Sequence, residues 1–141
     1  MLNFIGALAG VLLLAACGHA SQAPVVLTDV QRAQLVAFIA QSKFAPEGDY
    51  VGYGSEDVLA LPDDPLNDVA REIVRRGSFT KDSFLDRAIG KLHLFDRTDT
   101  EDRERAYAAV ERLMDILGIA SSDGRLNEAL YGRKIKPGDA P

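Results

Sequence analysis

Hydrophobic and polar positions divide the chain into stretches of different period. From Phe4 to Ala16 every residue is apolar or glycine and none is charged. This run is shorter than the ~20 residues that a membrane-spanning helix needs, so it reads as the apolar region of a secretory signal. Gly18 to Pro24 is small and polar and has no period, which makes residues 17–27 a tether. From Thr28 the apolar residues return at helical spacing and keep it as far as Tyr131, with one long interruption.

The helical stretches come with their own start and stop signals. Thr28 with Gln31 forms a capping-box pair ahead of Val30, Ala33 and Ala37 and of Leu35, Phe38 and Ile39, an apolar face that runs to Ser42. Residues 44–65 then carry Pro46, Gly48, Gly52, Gly54, Pro62 and Pro65, which break both helix and strand. Within them Ser55 to Leu59 could form a single turn. Asp64-Pro65 opens the next helix, with Leu66, Val69, Ala70, Ile73 and Val74 inward and Gly77 closing it after Arg75-Arg76. Thr80 caps a helix carrying Phe84, Leu85, Ala88, Ile89, Leu92 and Phe95. Thr98 with Glu101 is a second capping-box pair and opens the longest helix. Its stripe is Ala106, Val110, Leu113 and Leu117, flanked by Tyr107 and Met114 and ended by Gly118. Ser122 begins a short helix through Tyr131, with Leu126, Ala129 and Leu130 inward and Gly132 as its stop. No alternating run predicts a strand. The expected fold is all-α: a compact bundle of about five helices with one long irregular loop, occupying residues 28–132 and followed by a flexible tail at 133–141.

Charge narrows the choice of partners. The net charge is −5, and every charged residue lies beyond residue 28. An acidic domain lacks the basic surface that releases counterions from nucleic acid, so no nucleic-acid partner is expected. Cys17 is the one cysteine, which rules out an intramolecular disulfide.

Candidate chemistry is sparse. The acidic segment Asp96 to Asp102 lacks the glycine and the alternation of a calcium loop, and reads as a helix N-terminus. Gly52-Tyr53-Gly54 has Asp57 where a third glycine would complete a phosphate loop. His19 falls in the tether, and His93, between Leu92 and Leu94, suits a capping role. Asp49, Glu56, Asp63 and Asp64 are the only dense supply of carboxylates for a hydrolase. No catalytic set, metal site or cofactor is predicted. The long loop offers Asp49, Tyr50 and Tyr53 as partner-binding candidates, because tyrosines among glycines give large amphipathic contact area. The other reading of the two tyrosines is that they fold back over the bundle. Arg133, Lys134 and Lys136 read as cations suited to a helix end.

Two resemblances add to this. Leu14-Ala15-Ala16-Cys17 after an apolar run resembles the lipobox of bacterial lipoproteins. That likeness implies cleavage before Cys17, a cysteine diacylated on sulfur, and a membrane anchor. Gly18 after the cysteine implies export to the periplasmic face of the outer membrane. The segment Met1-Leu2-Asn3 departs from the pattern in having no Lys or Arg. Further on, Asp99 to Glu104, Met114-Asp115-Ile116-Leu117-Gly118, Ser121 to Asn127 and Leu130-Tyr131-Gly132 resemble a bacterial family of small helical domains of unknown function. The chain is therefore expected to be a lipid-anchored envelope protein that acts by binding a protein rather than as an enzyme. A periplasmic inhibitor or immunity protein against a secreted hydrolase is the leading form. A structural or assembly lipoprotein of an outer-membrane complex is the alternative, with a cell-wall hydrolase behind both.

Overall fold

The computed structural model describes residues 22–52 and 64–132. Five α-helices lie among them: α1 (Asp29–Ala40), α2 (Pro65–Arg76), α3 (Lys81–Leu92), α4 (Thr100–Leu117) and α5 (Arg125–Tyr131). A two-stranded antiparallel ladder, β1 (Val25–Val26) with β2 (Ser78–Phe79), is the one sheet among the described residues. The all-α bundle read from the pattern is what forms.

Most termini behave as their residues dictate. Thr28 accepts from the Gln31 amide at 3.1 Å while Gln31 Oε1 accepts from the Thr28 amide at 3.0 Å, a reciprocal box. Asp64 accepts from the Leu66 amide at 2.9 Å with Pro65 at the first helical position. Gly77 and Gly118 end α2 and α4 with φ of 70° and 71°, conformations that a Cβ disfavours. The core sits where these helices converge, around Leu35, Phe38, Leu66, Phe84, Leu113 and Val110, all essentially inaccessible to solvent.

Four local expectations need correction. The cap of α4 is Asp99, which accepts from the Asp102 amide at 2.9 Å. Thr98 instead turns its hydroxyl back to the Phe95 carbonyl at 2.9 Å. The helix expected to run through Phe95 stops at Leu92 and tightens into a 3-10 turn, His93–Phe95. That tightening swings Phe95 into the core, where it stacks on Phe44 at 5.4 Å between ring centroids. In α1 only Leu35 and Phe38 are buried, with Ile39 packed at the core's edge. Val30, Ala33 and Ala37 lie on the opposite, solvent-facing side, so the expected apolar face joined two faces of one helix.

The fourth correction concerns where the domain starts. Val25 pairs with Phe79, Val26 pairs with Ser78, and the Leu27 amide donates to the Gly77 carbonyl at 3.0 Å. Leu27 itself is buried. The last residues of the expected tether are thus part of the fold, and strands of two residues are too short to show any alternation. A chain beginning at Thr28 should unfold at lower urea than one beginning at Gln22, by about 2 kcal/mol for the lost leucine burial and backbone bond. Equal midpoints would show that β1 contributes nothing.

Candidate functional site

Residues 41–52, which follow α1, are held by two polar clusters. The first is built on Lys43. Its ammonium donates to the Phe38 and Gln41 carbonyls at 2.9 and 3.1 Å and to Asn67 Oδ1 at 2.6 Å. Asp64 lies 3.1 Å away, and the Phe38 ring sits 4.0 Å below the charge. Asn67 in turn donates to the Ile39 carbonyl at 3.3 Å. Helix C-termini leave carbonyls unpaired and carry partial negative charge, so a lysine and an amide satisfy that end of α1. Burial pushes the Lys43 pKa below its ordinary range, with Asp64 opposing the shift and Arg112 and Arg71 adding to it.

The second cluster joins the loop to the first turn of α4. Glu47 and Tyr50 exchange backbone hydrogen bonds of 2.9 and 3.0 Å across a Gly48-Asp49 turn. Gly48 has φ of 61°, a conformation that the first central position of a primed two-residue turn requires. The turn drives Tyr50 inward, where it is 4% exposed and donates to Asp102 Oδ1 at 2.5 Å. Asp102 has no solvent exposure. The Arg105 guanidinium lies 3.8 Å from the centre of the Tyr50 ring and pairs with Glu47 and Glu101 at 3.6 and 3.5 Å. Burial, and then the bond to Asp102, push the Tyr50 pKa well above the usual phenol value.

The sequence-derived candidates separate on this geometry. Asp49 is exposed at the tip of the turn, beside Val51, which is exposed too. Tyr50 is a core group, so the fold-back alternative holds for it and it presents no free contact surface. Tyr53 and Cys17 lie outside the described residues, as do Glu56, Asp63, the Ser55–Leu59 turn and the 133–141 tail. Asp64 caps α2 and pairs with Lys43, a folding role. The acidic segment also divides into structural tasks: Asp96 meets His93 at 3.0 Å, Asp99 caps, Glu101 pairs, and Asp102 is buried. Among the described residues no group of three or more His, Cys, Asp or Glu side chains is placed to hold a metal.

Sequence reasoning missed Lys43, Asp102 and Arg105. For Asp102 the signal was present: the α4 stripe of Ala106, Val110, Leu113 and Leu117, carried back one turn, lands on it. Lys43 follows the helix end and has no period to betray it.

The Tyr50–Asp102 contact makes two linked predictions. Tyr50→Phe should cost about 2 kcal/mol in urea unfolding, because the carboxylate loses a buried donor. Tyr50 has a folded pKa above its unfolded value. Its stabilising contribution is therefore complete below about pH 10 and is lost as pH rises toward the folded value. The phenylalanine variant should lose less stability than the parent above about pH 10. Tyr107, whose pKa burial also raises, keeps the remaining slope. Parallel alkaline profiles would refute this assignment.

Comparison with known proteins extends the likeness beyond the last third of the chain. A crystal structure of a DUF3571 family protein from Acinetobacter baumannii is similar, at 30% sequence identity and a TM-score of 0.59. The match spans 73% of this chain and 89% of that one. No curated protein matches. Residues 26–134 match the family described as Domain of unknown function (DUF4844), whose N-terminal limit falls within β1. The chain belongs to that family.

Proposed function

We infer that this protein is lipid-anchored through Cys17 in the bacterial envelope and acts by binding a protein partner. The observation that carries the binding reading is the use made of the loop's interior groups. Lys43, Asp64, Tyr50 and Asp102 are all engaged in fixing the stretch from Lys43 to Gly52. Binding and catalytic residues are often borne on loops that a rigid scaffold positions. Here the scaffold presents Asp49 and Val51 to solvent on a turn whose base is pinned from both sides.

The anchor rests on Leu14-Ala15-Ala16-Cys17 and on the distance to the fold. Val25, the first paired residue, lies eight positions past Cys17. No helix among the described residues is long and apolar enough to cross a membrane. An inhibitor or immunity protein against a secreted hydrolase is the form that best matches a small tethered domain, since tethering raises its concentration at the surface it guards. The periplasmic face of the outer membrane is the proposed location, after Gly18.

Two variants test the reading in the organism's own envelope. Cys17→Ser should move the protein from the membrane fraction to the soluble fraction; membrane retention would overturn the anchor. Asp49→Arg with Val51→Asp should weaken capture of the partner by about tenfold, ~1.4 kcal/mol, at unchanged melting temperature. Identifying a secreted hydrolase whose activity falls on binding would establish the inhibitor form. Undiminished capture by the double variant would remove the loop from the interface.

A further inference from the structure

We propose that the outer face of α1 rests on the lipid surface to which the chain is anchored, making a second, non-covalent contact with the membrane. The proposal depends on the anchor at Cys17. Val30, Ala33, Val36, Ala37 and Ala40 fall within an arc of about 120° on the side of α1 turned away from Leu35 and Phe38. Val30 is 67% and Val36 53% exposed, and Val26, just before the helix, is 74% exposed. A helix that is apolar on both sides is normally covered on both.

What covers the outer side follows from size, reach and charge. α1 has 12 residues, so this face is about 18 Å long and about 10 Å wide, roughly 200 Å² in outline. A stable protein interface takes ~800 Å² from each partner, so the patch is too small to hold a second copy from solution. A tethered contact has no such requirement, because its effective concentration reaches the millimolar range. Eight residues from Cys17 to Val25 span at most about 29 Å and on average nearer 16 Å, which brings α1 to the bilayer.

Charge then selects the kind of surface. The arc holds one ionisable group, Asp29 at the helix start, and no lysine or arginine. Arg32 at its edge is bound to the Val74 carbonyl at 2.8 Å. With a net charge of −5, the chain would be repelled by an anionic surface. A zwitterionic phospholipid surface is the fitting occupant.

The test uses the acylated full chain in phosphatidylcholine vesicles. Ala33→Cys or Ala37→Cys is labelled with an environment-sensitive fluorophore, and Ala120→Cys, exposed after α4, serves as the control. Nitroxide-bearing lipids should quench about half or more of the emission at 33 and 37, since an interfacial helix sits ~5–10 Å into the headgroup boundary. The label at 120 should be unaffected. Adding Val30→Asp, at a position that is 67% exposed, should abolish quenching at 37 while the chain still floats with the vesicles. Flotation without selective quenching overturns the proposal and leaves the anchor intact. Cross-linking between copies at 33, without lipid quenching, overturns it in favour of a dimer. Failure to float overturns the anchor, and the proposal with it.

Discussion

Tyr50 meets Asp102 at the first turn of α4, and the course of the chain from Phe44 to Gly52 depends on that contact. A carboxylate without solvent exposure costs several kcal/mol in lost hydration unless donors and positive charge replace the water. Three sources do so here. The phenol donates to it, the N-terminal turn of α4 places positive dipole around it, and Arg105 adds a charge from across the Tyr50 ring. Tyr50 can reach Asp102 because the Gly48-Asp49 turn reverses the chain, and Gly52 then keeps close to Phe44 and Pro46. A Cβ at 52 would stand 3.4 Å from Pro46 Cγ and 3.5 Å from the Phe44 carbonyl, at a φ of 90° that side chains avoid. The tyrosine therefore orders the loop from inside, and the residues offered to solvent are its neighbours.

Lys43 does the same work at the other end of the segment. It closes the C-terminus of α1 and links it to the N-terminal turn of α2 through Asn67 and Asp64. Side-chain packing alone could not place this stretch, which has Phe44 and Tyr50 as its buried apolar groups among residues 41–52. Two enclosed polar clusters supply what a short apolar content leaves undone. Lys43, Asp64, Tyr50 and Asp102 are each engaged in contacts that fasten this segment to the helices.

The helices were legible from period and punctuation, because Thr28, Asp64-Pro65, Gly77, Thr80 and Gly118 are local signals that tertiary contacts did not override. What escaped were features set by non-local geometry. β1 has two exposed valines and no buried face, so no pattern announces it; its partner is fixed by the reversal at Gly77, some fifty residues away. Thr98 looked like a cap because its spacing to Glu101 was right, yet Phe95 needed its hydroxyl to close the 3-10 turn. In α1, apolar residues on both sides left the inward face undetermined by period alone. The burial of Tyr50 was equally open, since aromatic residues among glycines serve contact and core alike until a buried acceptor such as Asp102 is known.

β1 fastens the N-terminal segment of the described chain to the bundle. Its pairing with β2 and the Leu27–Gly77 hydrogen bond attach the incoming chain to the turn between α2 and α3, not to α1 alone. Leu35 and Phe38 set the direction of α1 within the core, and the ladder adds a second fixed point at its start. The two-residue ladder and the buried Leu27 fix where the chain enters α1. At the far end α1 runs into the Lys43 cluster, whose ammonium holds the Phe38 and Gln41 carbonyls. Both ends of α1 are thus fixed by contacts outside the helix, the ladder and Leu27 at its start and the Lys43 cluster at its finish.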